Sequence, residues 1–420
     1  MSQQKPQGSE SNQSLLYVKK YGGTSVGSIE RIEAIADQIV TSHLTGERQI
    51  IVLSAMAGET NRLIALSSQI DPIGDPRERD MLISTGEQIS IALMAMALQK
   101  RGVKAKSLTG DQVQVHTNSH FGRASIERVD TAYLDSLLAE GVIPVVAGFQ
   151  GRNADGDVTT LGRGGSDTTA VAIAAAFEAT ECQIYTDVAG VFTTDPNIES
   201  TARRLSNISF AAMYQMARLG AKVLHPDSVA YAGKFSVPLR VLSSFEFGEG
   251  TLISDDNTIL FNSSTSKSNV VGIAVTRDLA MISLQNSNNA EYYSQLFNRL
   301  TEVGIEVDSL TKTQADNGVI NFTIDKSWLN IVLSELDLFN NQVNTDPIYY
   351  SSDLVRVSLV GNKSLVKSDV VSKMFNVLGE LGINVELVSV TDLKVALVIQ
   401  SLHLNVAVKA LHLAFGLNKL

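Results

Sequence analysis

With a single cysteine, Cys182, in 420 residues, the chain has no second thiol for an intramolecular disulfide and no Cys cluster for a zinc site. Next to an apolar run, that cysteine reads as a small buried residue. A basic surplus is lacking too. The net charge of −10 leaves no nucleic-acid footprint, which needs a basic face, so any anionic ligand must be held by locally placed donors. The six histidines are scattered, none in a helical pair with a carboxylate, and no metal held by protein side chains is expected. No apolar run approaches the roughly 20 residues that cross a bilayer. Residues 1–14, MSQQKPQGSESNQS, lack the apolar centre of a signal peptide. These absences point to a cytoplasmic protein with a disordered tail at 1–14 and no membrane partner.

What is present is apolar and aliphatic: 44% hydrophobic against 19% charged residues describes a folded α/β chain, and its length calls for more than one domain. Leu15 to Val18 reads as a buried strand, followed by KKYGGTSVGS and an amphipathic run with Ile29, Ile32, Ile35 and Ile39 at helical spacing. The alternation recurs. QIIVLSAM (49–56) and VIPVVAGF (142–149) read as strands, and ISIALMAMALQKRG (89–102) and TTAVAIAAAFEAT (168–180) as helices. QIYTDVAGVF (183–192) continues the pattern, with SFAAMYQMARLGAKVL (209–224) as a helix and VPLRVLSS (237–244) as the last strand. Strands alternating with helices predict an open, mostly parallel sheet sandwiched by helices. Within it, Met94, Met96 and Leu98 are expected in the core.

The pattern breaks at a polar stretch that ends in NSSTSKSN. Beyond it a shorter β-α-β-β-α theme occurs twice: LAMISL, GIEVDSL and GVINFTI with their helices, then LVRVSLV, GINVELVSV and LKVALVI with theirs. The predicted organisation is a domain at 15–250, a linker at 251–269, and two small modules at 270–345 and 346–420 whose first strands can interleave. Trp328, Tyr349 and Tyr350 are assigned to the packing of these modules.

Two glycine loops carry the chemistry. GGTSVGS, from Gly22, is close to the phosphate-binding pattern G-x-x-x-x-G-K-S/T but lacks its lysine. The lysine here, Lys20, precedes the glycines, where the end of a strand aims it across the loop at a phosphate. Amides at Gly22 and Gly23 could take phosphate oxygens, since no Cβ blocks the approach. Taken alone, this loop fits a plain strand-to-helix turn equally well. The second loop, TLGRGGSDTTA (160–170), opens a helix whose N-terminus attracts anions. Ser166 or Asp167 could cap that helix, but capping does not explain Arg163, which suits a two-pronged contact with a carboxylate.

KYGGTSVGS, GFQGRN, TTLGRGGSDTTA, YTDVAGVFTTDP and GAKVLHP occur in the order found in aspartate kinases. From about Val18 to Ser244 the chain resembles their catalytic part, and the doubled tail resembles the two ACT domains that follow it. The resemblance implies the amino-acid-kinase fold, with ATP and aspartate bound at the C-terminal ends of the strands, in keeping with the rule for open α/β sheets. It implies transfer of the terminal phosphoryl group of ATP to the side-chain carboxylate of L-aspartate, the first step towards lysine, threonine and methionine. Lys20 matches the lysine that steadies the migrating phosphate and Asp167 the aspartate that organises it. Ser54, Thr60, Glu87, Arg163, Gly165 and Ser166 match the amino-acid site, with Arg163 on the α-carboxylate and Glu87 on the α-ammonium. Gly22, Gly23, Tyr185, Thr186, Asp187, Asp195, Pro196 and Lys222 match the nucleotide site. Magnesium is implied as an ion carried by ATP. Asn197 stands where many relatives have arginine.

That chemistry suits the residue types. A side-chain carboxylate is ionised near pH 7 and needs no general base to attack phosphorus, and phosphoryl transfer depends on alignment and positive charge. In relatives the ACT pair binds lysine, threonine or both through a loop that usually contains Pro-Gly. Neither QNSNNAEYY (285–293) nor GNKSLVKSDVV (361–371) contains it, so weakened or altered feedback control is expected. Asp308, Thr311 and Gln314 are the candidate effector contacts, and a homo-oligomer of two or more chains through the ACT domains is the expected assembly. His225, before Pro226, is read as structural. Competing readings are a kinase for glutamate, N-acetylglutamate or a nucleoside monophosphate, and an amino-acid sensor built on an inactive kinase. LSAMAGETN, STGEQIS and RGGSD favour aspartate over the former; Lys20, Glu87, Arg163 and Asp167 argue against the latter.

Overall fold

In the computed structural model, Leu16–Tyr21 forms strand β1, the glycine loop follows it, and helix α1 spans Ile29–Leu44. Ser28 caps this helix by accepting from the Arg31 N–H. Ile32, Ile35, Ala36 and Ile39, at i, i+3, i+4 and i+7, are its buried stripe, and Ile29 is exposed. The structure describes residues 15–255, 269–284, 290–312, 319–343, 348–361, 365 and 368–419. They fall into two units. The first takes the chain to Val191, Arg204–Tyr214 and the segment that starts at Lys222; the second takes Phe192–Arg203, Gln215–Ala221 and the C-terminal part.

The first unit continues with β2 (Arg48–Leu53), α2 (Glu59–Ile70), α3 (Pro76–Ile83), α4 (Thr85–Lys100), β3 (Ala105–Leu108), β4 (Val115–Thr117), β5 (Ile126–Val129), α5 (Ala132–Ala139), β6 (Ile143–Ala147), β7 (Gln150–Arg152) and β8 (Val158–Thr160). Then come α6 (Gly165–Ala176), β9 (Glu181–Thr186), β10 (Asn207–Ser209), α7 (Phe210–Arg218, which passes into the second unit from Gln215), α8 (Pro226–Lys234), β11 (Leu239–Ser243) and β12 (Thr251–Ser254). Among the described residues eight strands form one sheet in the order β10-β12-β11-β9-β1-β2-β6-β3, parallel at every pairing except β11 with β12. This is the expected open sheet. Four further strands form a small second sheet in the order β5-β4-β7-β8.

The sheet runs further than the sequence predicts. β12, only TLIS, falls where a linker was expected, and β10 is three residues long; both are too short to show a period. The helix expected over 209–224 stops at Arg218, ahead of Gly220, whose φ of 102° suits glycine and whose Cβ would meet the Val275 carbonyl. Met94 and Leu98 are buried, but Met96 on the same helix is exposed, since adjacent positions on a helix face different ways. By length and composition the run Pro76–Lys100 could cross a bilayer, contrary to the sequence expectation; just over half of its most apolar stretch is buried inside the protein, as in a core helix. Cys182 is fully buried and free, and burial pushes its thiol up.

The second unit contains β13 (Val270–Leu284), α9 (Ala290–Glu302), β14 (Asp308–Lys312), β15 (Ile320–Asp325), α10 (Leu329–Val343), β16 (Ile348–Gly361), α11 (Ser368–Glu380), β17 (Leu387–Thr391), β18 (Lys394–Gln400) and α12 (Leu404–Ala414). Among the described residues its sheet has the order β14-β15-β13-β16-β18-β17, antiparallel throughout, with the two long strands paired at the centre. β13 serves both halves. Its start, Val270 and Ile273, packs with Met374, Leu378 and Leu411, while its end, Ala280, Ile282 and Leu284, packs with Leu296, Leu300 and Phe322. Trp328 packs against the latter cluster, whereas Tyr349 and Tyr350 are exposed.

Two segments from the stretch read as catalytic domain belong to this unit. Ile198 is part of its core, the Ile273 N–H donates to the Thr193 carbonyl at 2.7 Å, and Thr193 Oγ1 lies 2.9 Å from Nε2 of the buried His412. Arg203 Nε donates to the Leu417 carbonyl, and Thr276 Oγ1 to the Leu219 carbonyl.

Candidate active site

The C-terminal ends of β1, β2, β6 and β9 present Lys20, Ser54, Gly148 and Thr186 along one edge of the main sheet. Strand alternation sends Lys20 to the face opposite Tyr21, towards α6. There its Nζ lies 2.6 Å from Asp167 Oδ1, with both side chains about nine-tenths buried. This pair forms part of the wall of a cavity of about 360 Å³ that Gly23, Ser54, Thr60, Glu87, Gly165 and Ser166 also line. Eight of the residues singled out from sequence are thus brought together from four separate stretches of chain.

Glycine is required at three of these contacts. A Cβ on Gly23 would come within 2.9 Å of the Ala55 carbonyl, and one on Gly148 within 2.7 Å of the Ser166 Cβ. Gly164, at φ 70°, begins α6; a Cβ there would overlap the His225 side chain. His225, extended before Pro226, is therefore packed behind the glycine loop that opens α6, which agrees with a structural role. The cap of α6 is Gly164 and carries no side-chain bond, so Ser166 and Asp167 lie inside the first turn and do not cap it. The N-terminus of a twelve-residue helix is left facing the cavity, where its amides and dipole favour an anion.

Glu87, in the first turn of α4, is 3% exposed. Its Oε1 accepts from the Ala55 N–H at 3.0 Å, and its Oε2 is buried with no hydrogen-bond partner. Burial pushes this carboxyl up from 4.5 to about 7, with the Ala55 amide opposing the shift. Ser90 donates to the Ser54 carbonyl at 2.8 Å and so ties α4 to the same wall. Phe149 lines the cavity at φ 68°, in a left-handed conformation that a bulky side chain adopts at a cost of about 1–3 kcal/mol. Its N–H donates to Thr169 Oγ1, and its carbonyl accepts from the Leu161 N–H.

Other sequence candidates stand elsewhere. Arg163 is exposed, between two cavity-lining glycines, and is itself outside the cavity wall. The Gly22 N–H is already given to the Tyr185 carbonyl at 3.2 Å, so that amide is not available to a phosphate. The Tyr185 ring turns inward to stack on the buried Tyr21, centroids 4.6 Å apart. Thr186 and Asp187 close β9 beside the glycine loop, with Thr186 Oγ1 donating to Asp187 Oδ1. Lys222 is exposed in the first unit. Asp195 and Pro196 belong to the second unit, where Asp195 Oδ1 accepts from the Asn197 backbone and side-chain N–H groups. Also in that unit, Arg356 holds Asp308, Thr311 sits in β14, and Gln314 lies outside the described residues.

Sequence reasoning missed the latch under the first glycine loop. Ser25 Oγ donates to Ser244 Oγ at 2.9 Å, Ser244 Oγ to the Thr186 carbonyl at 3.1 Å, and Arg31 to the Ser244 carbonyl while resting on the Phe245 ring. The only signal available was the serine in GGTSVGS; its partner is 219 residues away. Among the described residues no three His, Cys, Asp or Glu side chains group as metal ligands.

Residues 16–243 match the Amino acid kinase family, and 357–415 match the ACT domain. An aspartate kinase of Pseudomonas putida is 44% identical over 406 residues, covering 96% of this chain and 98% of that protein. E. coli aspartokinase III is similar in structure at 27% identity, covering 95% of this chain and 99% of that one: the TM-score is 0.74 for its complex with aspartate and ADP and 0.76 for that with lysine and aspartate. The family match and the 44% identity over nearly the full length lead to one assignment: the chain belongs to the amino acid kinase family and, within it, to the aspartate kinases.

Proposed function

We propose that the cavity is where this aspartate kinase joins the side-chain carboxylate of L-aspartate to the terminal phosphoryl group of ATP. The observation that carries the reading is the orphaned Oε2 of Glu87, a buried carboxylate oxygen beside a cavity that also holds the Lys20–Asp167 pair. A buried polar atom without a partner is costly, and an α-ammonium group would satisfy it. The cavity volume suits a small amino acid and a terminal phosphate.

In this reading Glu87 fixes the α-ammonium, and Arg163 swings in from the exposed loop to take the α-carboxylate. Ser54, Thr60, Gly165 and Ser166 shape the space between them. The side-chain carboxylate is then aimed at the phosphorus as a ready nucleophile, and no base is needed. As the new oxygen–phosphorus bond forms, the bond to the leaving ADP oxygen breaks, and charge gathers on the phosphoryl oxygens. Lys20 supplies positive charge there, and Asp167 holds the lysine in line. The α6 N-terminus and Gly23 N–H add donors from the backbone. Thr186, Asp187 and Lys222 are assigned to the nucleotide. Magnesium neutralises phosphate charge when bound; since Asp167 is already engaged by Lys20, the ion is assigned mainly to phosphate oxygens and water.

The test is ADP formation by the purified chain with ATP and magnesium, in the presence of aspartate or glutamate. Aspartate-dependent ADP release that glutamate does not replace supports the reading. Equal rates with glutamate, or none with either, would sink it.

A further inference from the structure

Asp80 is a buried carboxylate that the reaction does not use. Only 1% exposed, it lies on α3 and accepts three hydrogen bonds. Oδ2 takes the Gly122 N–H at 2.9 Å and the Thr160 N–H at 2.7 Å, and Oδ1 takes the Thr160 hydroxyl at 2.7 Å. Both N–H donors come from irregular or strand-end backbone, where no ladder would otherwise satisfy them.

None of the three tethered residues lines the cavity itself, but each stands beside or leads into a stretch that does. Asp80 stands seven residues, about two helical turns, before Glu87, and the break between α3 and α4 at Ser84 is pinned by Gln150 Nε2 donating to the Ser84 carbonyl at 2.8 Å. Thr160 ends β8 and is the root of the loop that carries Arg163 and leads to Ser166. The Gly122 carbonyl abuts that loop from outside, 3.2 Å from where a Cβ on Gly162 would be. The Ala124 N–H returns a bond to the Thr160 carbonyl at 2.9 Å. No atom of Asp80 needs to reach the cavity for it to set the cavity's width.

We infer that Asp80 is a positioning residue for aspartate, fixing the spacing between Glu87 and the 161–166 loop. This rests on the reading of the cavity as the amino-acid site. The acceptor geometry ranks its variants. Asp80→Ala leaves two buried N–H groups unpaired. Asp80→Asn can keep both on its carbonyl while one amide hydrogen meets the Thr160 hydroxyl turned to accept, so it loses charge assistance and leaves its second amide hydrogen and the hydroxyl hydrogen without their own partners. Thr160→Val removes one bond and leaves the carboxylate in place.

Steady-state kinetics of the full chain, with aspartate and ATP varied separately and folding followed by thermal unfolding, test this. Expected is a rise of about tenfold or more in KM for aspartate in Asp80→Ala, less in Asp80→Asn and least in Thr160→Val, with KM for ATP held within about twofold. A purely structural role would lower the active fraction and leave both KM values alone; that result overturns the inference. Should Asp80→Ala fail to fold, an unchanged KM for aspartate in Asp80→Asn and Thr160→Val overturns it equally. The parent enzyme in the same assay separates the two proposals: a parent without aspartate-dependent turnover sinks the functional reading, and an active parent with indifferent variants sinks only the role of Asp80.

Discussion

The two units bury their charged side chains in different settings. In the first, Glu87 keeps one carboxylate oxygen without a partner, and Lys20 and Asp167 pair across a cavity wall. In the second, His412 is matched by Thr193, and the forked end of Arg356 by Asp308, Ser309 and Thr276. A buried polar group left short of partners weakens a fold, and one that is matched specifies it. Incomplete satisfaction of a carboxylate that faces a cavity is therefore a mark of recognition; buried atoms without a partner elsewhere, such as Arg356 Nε and Thr194 Oγ1, are not among the residues lining the cavity and carry no such mark.

The comparison breaks most visibly at Lys20. Lys20→Ala should cut kcat by at least about a hundredfold, since one such electrostatic contact is worth on the order of 3 kcal/mol in a barrier. The midpoint of thermal unfolding should fall as well, because the substitution leaves the Asp167 carboxylate buried without its partner, so turnover is read on the fraction that remains folded. Near-normal turnover in the folded variant would show that the Lys20–Asp167 pair is packing after all.

Glu87 sharpens the contrast through pH. With its carboxyl raised to about 7 by burial, the charge that would hold an ammonium is present above that pH and lost below it. On this basis kcat/KM for aspartate should fall about tenfold per pH unit below about 7, and Glu87→Gln should flatten that limb while lowering the plateau. Stability runs the other way. Between the ordinary value of 4.5 and about 7 the folded chain holds a proton that the unfolded chain has released, so this residue's contribution weakens as pH rises through that window and is constant above it. A wild-type profile with no limb near 7, or a Glu87→Gln profile that keeps it, would remove Glu87 from substrate binding.

Long periodic elements and both glycine loops were legible in the sequence because their signals are local: four isoleucines at helical spacing, or Lys20 one residue ahead of the pair Gly22 and Gly23. What escaped was non-local or short. The Ser25–Ser244 bond closes over 219 residues, the bonds of Thr160 to Asp80 over 80, and neither serine nor aspartate carries any periodic mark. β10 and β12 have three and four residues, below the length at which alternation is visible. The motif YTDVAGVFTTDP reads as one stretch of sequence yet divides after Val191, since Thr193 is fastened to Ile273 and His412 by bonds that sequence cannot show. Residue identity thus located the charged groups of the cavity, while the question of which backbone amides were still free, Gly23 but not Gly22, waited on geometry.

The smallest effect concerns the second unit. An effector in such a module needs donors that are not already engaged, and glycine-exposed loop amides are the usual source. Neither copy has the Pro-Gly loop, and the Asp308 carboxylate, the acidic group best placed to hold an amino group, is taken by an Arg356 side chain that is only 3% exposed. Displacing that arginine would leave a buried cation unpaired, a cost that a lysine or threonine ligand would have to repay before it could shift any equilibrium. Millimolar lysine and threonine, alone or together, are therefore expected to lower the initial rate by no more than about twofold, a coupling below the usual allosteric range. Stronger inhibition by either amino acid would mean that the pairs of the second unit open on binding, and matched polar groups there would then be a switch held shut.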